Sequence, residues 1–365
     1  MTSAIGTAIV GGGFMADVHS RAARAARSRL VGIASSSHGR AARAAEKLGI
    51  ERAFSSVTEL IGRPDVDVVH ICTPNATHTE IALAALAAGK HVVCEKPLAT
   101  SVHDAVALAE AARTAGTTAT VPFVYRFHPM VREARARFRD GRAGRLLSVQ
   151  GSYLQDWLLD QGDDNWRVSD TLGGPSRAFA DIGSHLVDLI EFVTGDRIMR
   201  LSATTSTAFA DRADHRAITT EDLAAVVVET GSGAIGTLLV SQVAPGRKNR
   251  LALELHGSAE SLGFDQEQPE SLWIGRRAGS GLQLRNADEL APDAARLSTV
   301  PAGHPMGYMD AFTAFVSDTH AAIRGNAPDG LPTFDDGLRA VRITDAVLTS
   351  AATGTWVTIN DMEKQ

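Results

Sequence analysis

Thr7-Ala8-Ile9-Val10-Gly11-Gly12-Gly13-Phe14-Met15-Ala16 is the stretch that decides the fold. A short apolar run, strand-like in character, breaks at three glycines and gives way to a helix-forming segment. The small residues fit G-x-G-x-x-G/A, with Ala16 in the third small position. Gly11 permits a tight turn, Gly13 lets the backbone approach a pyrophosphate, and Ala16 keeps the helix close to the strand. The first turn of such a helix offers unpaired N–H groups and a partial positive charge to a phosphate. Glycine triplets also serve ordinary loops; the place between a strand and a helix, at the head of a βαβ pattern, gives this one its meaning.

The chain then repeats the alternation. Residues 30–34, 66–72, 91–94 and 118–124 are apolar runs, separated by alanine-rich stretches such as 81–88 and 102–115. Gly89 and Gly116 stand where helix C-caps belong. Continuously apolar strands alternating with helices predict an α/β fold whose parallel sheet is covered on both faces. After about Tyr125 the pattern changes. Residues 146–153, 200–207, 224–230, 234–241 and 251–256 read as longer strands, and Gly231-Ser232-Gly233 as a hairpin turn. Helices are fewer: 129–139, 182–193 and two near the C-terminus. Gly279-Ser280-Gly281 and the stretch 286–303 read as surface loops. Strands beside segregated helices predict an α+β domain with a large, open, mainly antiparallel sheet. The expected division is 1–124 and 125–365, with the last helix free to pack back on the first domain. Val226, Val228, Leu238 and Val240 alternate so that one face of the second sheet is covered, by helices or by another subunit.

Composition agrees. A chain of 365 residues with 44% hydrophobic and 21% charged residues suits two globular domains. Lys+Arg 36 against Asp+Glu 42 gives 36 − 42 = −6, without the basic surplus of a nonspecific nucleic-acid binder. No apolar run approaches the roughly 20 residues of a membrane span. The N-terminus lacks the basic region of a signal peptide, so a cytoplasmic location is expected. Cys72 and Cys94 sit in apolar runs and read as buried reduced thiols.

The end of the second strand discriminates between nicotinamide cofactors, because an acid there binds the adenosine ribose hydroxyls and repels a 2′-phosphate. Here the sequence is Ala34-Ser35-Ser36-Ser37-His38-Gly39-Arg40. Three hydroxyls and Arg40 can accommodate a phosphate, so the expectation is NAD(P) with a lean to NADP. The alternative is that Arg40 is a solvated helix residue. Two further stretches carry chemistry. Cys94-Glu95-Lys96-Pro97 closes a strand at the sheet edge where ligands gather, and a lysine there can orient a substrate hydroxyl or share its proton. Thr73-Pro74-Asn75-Ala76-Thr77-His78 brings polar residues to the same crevice. Asp181-Ile182-Gly183-Ser184-His185-Leu186-Val187-Asp188, read as a helix, puts Asp181, His185 and Asp188 within an arc of roughly 60°. Two carboxylates beside an imidazole suit a general base. A solvated polar face capped by Asp181 is the plain alternative, and a divalent-ion site is a third, for which no further ligand cluster is evident.

Together these elements resemble the Gfo/Idh/MocA family (glucose–fructose oxidoreductase / inositol dehydrogenase). The carriers are the glycine turn, Cys72–His78, Glu95-Lys96-Pro97, Trp166-Arg167, Gly173-Gly174, the Asp181–Asp188 element and Gly307-Tyr308. The resemblance implies a Rossmann domain followed by an α/β domain whose open sheet usually forms an oligomer interface, so a homodimer or homotetramer. It implies that Lys96 and His185 flank a substrate hydroxyl, His185 as general base, Lys96 holding the oxygen, and Asp181 orienting the substrate or the histidine, with Asp188 a structural partner. Cofactor contacts implied are Gly11, Gly13, Phe14, Met15, Ser35, Ser36, Arg40, Thr73, Pro74, Asn75, His78, Glu95 and Lys96. Arg126 near the crevice, and Trp166 with Arg167 toward the nicotinamide end, complete them. The sequence departs from the family in lacking its frequent Asp on the second strand, and the Arg common at the Ser36 position in NADP-using members.

For the substrate, Tyr153-Leu154-Gln155-Asp156-Trp157-Leu158 resembles the segment of family members acting on levoglucosan and related sugars. Period-2 alternation puts Tyr153, Gln155 and Trp157 on one side. Trp157 or Trp166 offers an apolar plate for a pyranose face, and Gln155 or Asp156 bonds to ring hydroxyls; Tyr153 and Tyr308 join Lys96, Asp181 and His185 as substrate contacts. The expected activity is hydride transfer between NAD(P) and a secondary alcohol of a pyranose, an anhydrosugar or a cyclitol. The alternatives are a redox glycosidase with trapped NAD and a noncatalytic nucleotide-binding protein.

Overall fold

The computed structural model describes residues 4–360. They divide into two compact units: the chain up to Val124 together with Tyr308–Leu338, and Tyr125–Gly307 together with the chain from Arg339 on.

In the first unit, β1 (Gly6–Val10), α1 (Phe14–Ala25), β2 (Arg29–Ala34), α2 (His38–Leu48), α3 (Val57–Ile61), β3 (Val68–Ile71), α4 (His78–Ala87), β4 (His91–Cys94), α5 (Val102–Ala115) and β5 (Ala119–Thr120) follow in order. Among the described residues the sheet has five strands, ordered β2-β1-β3-β4-β5 and parallel throughout. The central strands β1 and β3 are buried along their whole length, as a sheet covered on both faces requires. Gly11 follows β1, where the strand order reverses, the position at which such sheets bind ligands. Ser37, Ser56 and Ser101 cap α2, α3 and α5 by accepting from Arg40, Glu59 and Asp104 N–H groups. Gly116 ends α5 in the left-handed region, at φ +62°. The strand read at 118–124 is shorter, because Pro122 has no N–H for a ladder and the chain turns into a 3₁₀ segment at Val124–Phe127. The later helix Tyr308–Ile323 packs against α1, where the His19 ring lies 4.7 Å from that of Phe312.

The second unit contains α6 (Pro129–Arg139), β6 (Leu146–Leu154), α7 (Asp170–Gly173), α8 (Ser184–Thr194), β7 (Ile198–Ser206), β8 (Leu223–Thr230), β9 (Ile235–Ser241), β10 (Arg250–Gly257), β11 (Ser261–Asp265), β12 (Ser271–Arg276), β13 (Gly279–Leu284) and β14 (Val357–Thr358). Among the described residues they form a nine-stranded sheet, β13-β12-β11-β10-β6-β9-β8-β7-β14. The β6–β9 pair is parallel and the other neighbours are antiparallel. One face is the core: Val149, Tyr153, Val226, Val228, Leu238, Val240 and Leu253 lie against Leu186, Leu189 and Ile190 of α8, and Val347 of the last helix joins them. The alternate residues Val227, Ile235 and Leu239 stay exposed on the other face. Gly279-Ser280-Gly281, read above as a loop, is the start of β13. This edge strand is held by main-chain pairing to β12, and its glycines and serine carry no side-chain signal to betray it. Among the described residues no helix is long and apolar enough to cross a membrane.

Candidate active site

The first unit supplies a nucleotide turn and a lysine at one edge of its sheet. Gly11 has φ +110°, and a Cβ there would stand 2.5 Å from the Cys72 carbonyl oxygen, so the close strand-to-strand approach demands glycine. Gly13 is the N-cap of α1 and carries no side-chain cap, while a Cβ added to it would meet nothing within 4 Å. The first N–H groups of α1, at Phe14, Met15 and Ala16, are thus left for an outside acceptor, with open space before them. Donors and room both fit a dinucleotide pyrophosphate. Phe14 is 73% exposed beside this opening. At the end of β2, Ser35 is half-buried and Ser36 exposed. Ser37 is spent on the α2 cap, and Arg40 donates to the Ser36 hydroxyl at 3.2 Å.

Past β3, the Thr77 hydroxyl bonds to that of Thr73 at 2.7 Å and to the Pro74 carbonyl, which folds the turn around the buried Asn75. His78 is wholly buried. Its Nδ1 lies 2.9 Å from the Pro97 carbonyl and its Nε2 3.0 Å from the Thr73 carbonyl, and a neutral ring donates to one of the two. Burial pushes its pKa down. Glu95, at the end of β4, is also buried. One carboxylate oxygen lies 2.9 Å from His19 Nε2, and the other accepts the Lys96 N–H at 3.1 Å. Both oxygens are therefore engaged inside the fold. Lys96 is half-buried and precedes a cis peptide to Pro97. Tyr308 opens its helix in this same unit, with its ring 5.8 Å from that of Phe312.

The second unit supplies an imidazole and a carboxylate. The continuous helix read over 181–188 is corrected here. Phe179–Gly183 is a π turn, and α8 begins only at Ser184. A Cβ on Gly183 would sit 2.6 Å from the Phe179 ring, so glycine admits the aromatic side chain inside the widened turn. Glu221, buried, anchors the segment by accepting from the Ser176 hydroxyl and the Arg177 and Phe179 N–H groups. The break separates the roles of the three polar residues. Asp181 accepts from Gln242 Nε2 at 2.8 Å and lies 3.6 Å from Arg167 Nε, whose guanidinium rests 4.4 Å over the Trp166 ring. His185 is 7% exposed, with the Tyr125 ring edge-on at 5.0 Å and the Tyr153 ring at 6.3 Å. Asp188 instead takes Arg126 in a buried two-pronged pair, with Nε to Oδ2 at 2.9 Å.

Beside His185 runs a closed set of hydrogen bonds. Tyr153 donates to Asn249 Oδ1, Asn249 Nδ2 donates to the Tyr125 hydroxyl, and Tyr125 then donates to Tyr153. Gln155 donates to the same Asn249 oxygen and accepts from Trp157 Nε1. Tyr153 is thus a buried member of the scaffold, and its proton goes to Asn249. Asp156 accepts from Lys248 and from the Gly246 N–H, and the lysine lowers its pKa. Three residues here escaped the sequence reading: His19, Gln242 and Asn249. His19 falls at the sixth residue of α1, a helix position where nothing local marks a polar core. Gln242 and Asn249 lie in strand-flanking loops whose partners are far away in sequence. Among the described residues no group of three His, Cys, Asp or Glu side chains is placed to hold a metal ion.

A parallel sheet with a phosphate-receiving glycine turn at its switch point, continued in the same chain by an open sheet that carries an imidazole and a braced carboxylate, defines a two-domain dinucleotide-dependent oxidoreductase. Residues 5–123 match the oxidoreductase family with NAD-binding Rossmann fold, and residues 131–263 match the GFO/IDH/MocA C-terminal domain. The chain belongs to the GFO/IDH/MocA oxidoreductase family. It is 31% identical to the levoglucosan dehydrogenase of Pseudarthrobacter phenanthrenivorans, over 96% of this chain and 97% of that one. Its fold superposes on a levoglucosan dehydrogenase in complex with NADH and levoglucosan with a TM-score of 0.92, at 30% identity, covering 99% and 100% of the two chains. An inositol dehydrogenase homolog from Azotobacter vinelandii, complexed with NADH and myo-inositol, gives a TM-score of 0.88 at 30% identity, covering 98% of each chain. The cofactor in both of those structures is NADH, and the lean towards NADP gains no support from them.

Proposed function

We propose that this protein is a dehydrogenase that moves hydride between NAD(H) and a secondary alcohol of a pyranose or anhydrosugar. The observation that carries the reading is the placing of Lys96 directly after β4, at the same sheet edge as the Gly11–Gly13 turn after β1. A bound nicotinamide dinucleotide, its pyrophosphate held at the Gly11–Gly13 turn, would supply the hydride acceptor. Lys96 holds and polarises the alcohol oxygen, and His185 takes the hydroxyl proton. Asp181, held by Gln242, accepts from a neighbouring sugar hydroxyl and fixes the ring. The resemblance of Tyr153–Leu158 to the segment of levoglucosan-acting members and the likeness of the whole chain to a levoglucosan dehydrogenase support an anhydrosugar over a cyclitol. NAD is the proposed carrier, with NADP tolerated, because no acid stands at the end of β2 to repel a 2′-phosphate.

The test is a panel of levoglucosan, glucose and myo-inositol with each cofactor, in the wild type and in Lys96→Ala and His185→Ala. Turnover should be fastest with levoglucosan and NAD, and each variant should lose about 10²–10⁴-fold in kcat while NADH binding persists. Wild-type turnover in both variants, or preferred turnover of myo-inositol, contradicts the reading. Sugar release without net NADH would replace it with a redox glycosidase.

We also propose that a second copy of the chain covers the exposed face of the nine-stranded sheet. That face holds a concavity of about 860 Å³ lined by Ser152, Val227, Leu239 and Trp273, on the side of β6 opposite Tyr153. Val227, Leu239 and Trp273 stand exposed among polar side chains on this face, which supports an association site there. Light scattering should give a multiple of the chain mass, and Leu239→Asp should reduce it; a monomeric wild type removes the proposal.

A further inference from the structure

Helix α1 carries more than the nucleotide turn. His19 on its inner side is wholly buried and makes two polar contacts, Nε2 to Glu95 Oε1 at 2.9 Å and Nδ1 to His70 Nδ1 at 2.9 Å. The hydrogen positions follow by elimination. An ionised carboxylate only accepts, so His19 Nε2 carries a proton. Burial holds His70 neutral, its pKa well below the usual histidine value. Between the two Nδ1 atoms one must donate. If His70 donates, its Nε2 is a bare lone pair; if His19 donates, His70 Nε2 is a buried N–H. That Nε2 has no partner among the described residues, and an unmet buried N–H is the rarer, costlier case. The chain therefore runs from His70 N–H to His19, and from His19 N–H to Glu95.

The other Glu95 oxygen accepts the main-chain N–H of Lys96 at 3.1 Å. The titratable groups facing this carboxylate are His19 on α1, His78 on α4, Cys72 after β3, Cys94 in β4 and Lys96 itself. Burial pushes both thiols well above their ordinary value, so they stay neutral. Burial alone would protonate Glu95, yet its pKa is lowered, with the His19 hydrogen bond the largest opposing cause.

We infer that His19 is a positioning residue for Lys96: it is the side chain through which the phosphate-receiving helix fixes the Glu95 carboxylate, and that carboxylate fixes the main chain and the electrostatic surroundings of the lysine. The inference rests on the reading of Lys96 as the group that holds the alcohol. It gives the Glu95 side chain a task inside the fold, distinct from the cofactor contact expected of it.

Glu95→Gln keeps the shape and removes the charge. It should fold with a Tm close to wild type and bind NADH within about threefold. Its kcat should fall about 10–100-fold, and the alkaline limb of its kcat/KM profile should move to lower pH by about one unit, the usual effect of losing one neighbouring charge. His19→Leu should move both readouts the same way, and His19→Gln, which restores a donor, should recover most of kcat. The double variant Glu95→Gln/His19→Leu should be no slower than His19→Leu alone, because the two residues act as one unit. Should His19→Leu fail to fold, Glu95→Gln and His19→Gln decide. Wild-type kcat and pH profile in Glu95→Gln, or additive losses in the double variant, overturn the inference. Full turnover in Lys96→Ala would remove the underlying reading, whereas an unaffected Glu95→Gln beside an inactive Lys96→Ala removes only the role of His19.

Discussion

Asp188→Asn separates scaffold from chemistry on α8. Arg126 and Asp188 face each other with side chains 7% and 4% exposed, and the guanidinium also lies 4.8 Å over the Phe192 ring. Removing one partner of such a buried pair costs about 3–5 kcal/mol, because the other charge is left uncompensated. Asparagine retains an acceptor and returns about 1 kcal/mol, so the net loss should be about 2–4 kcal/mol. For a unit of this size, that lowers Tm by about 4–16 °C. The companion is Arg126→Met/Asp188→Leu, which replaces the pair with apolar side chains and should stand within about 1 kcal/mol of wild type. Scanning calorimetry reads both, and an NADH titration on the same samples tests the function. If the guanidinium is spent on Asp188, the double variant should bind NADH within about threefold of wild type. An Asp188→Asn protein as stable as wild type, or an apolar double less stable than the single variant, would refute the assignment.

Two other outcomes follow from the first unit. Gly11→Ala forces a Cβ to within 2.5 Å of the Cys72 carbonyl at φ +110°; NADH affinity should drop at least about tenfold in a fluorescence titration, and unchanged affinity would detach the turn from the cofactor. His320, buried on the Tyr308–Ile323 helix, has its pKa pushed down to about 4 by burial. The folded state thus binds fewer protons than the unfolded chain below the ordinary value of 6.5. This contribution is complete above pH 6.5 and is lost as pH falls towards 4, at most about 3 kcal/mol. A Tm measured against pH should fall over that window, and His320→Gln should flatten the fall.

What the sequence made legible was what local rules govern. The alternating runs and the glycine at the α5 end each rest on a few adjacent residues, and they appear where the pattern puts them. β11 and β12 carry only two alternating core side chains each, Leu262 with Phe264 and Leu272 with Ile274, runs too short for a period to stand out, and the loop reading of β13 fails because that edge strand is held by main-chain pairing. The 181–188 element failed for a different reason. A 3.6-residue period assumes a continuous α-helix, and the Gly183–Phe179 packing that widens the turn involves ring shape rather than hydrophobic order. His19, Gln242 and Asn249 were invisible because each is defined by a partner 61 or more residues away: Glu95, Asp181, and Tyr153 with Tyr125.

The hydrogen-bond ring beside His185 bears on which group in the second unit takes the proton. A phenol there would be the obvious rival, since two tyrosines face the imidazole. Burial raises the Tyr125 pKa, and its proton is committed to Tyr153, whose own proton is committed to Asn249. Extracting a proton from either phenol breaks the bond that phenol donates before any transfer begins. A carboxylate is the other rival, but Asp181 is held by Gln242, with the Arg167 guanidinium beside it, in the role of an ionised acceptor of hydrogen bonds. Imidazole is the side chain whose ordinary pKa lies near neutrality, and the Tyr125 ring packs it edge-on and the Tyr153 ring at a tilt while their hydroxyls bond to each other and to Asn249. The proposed division, with His185 as proton acceptor and the tyrosines as its frame, therefore predicts that Tyr153→Phe costs far less turnover than His185→Ala. Equal losses measured in kcat, with both proteins folded, would move the proton onto the phenol and end the assignment to the imidazole.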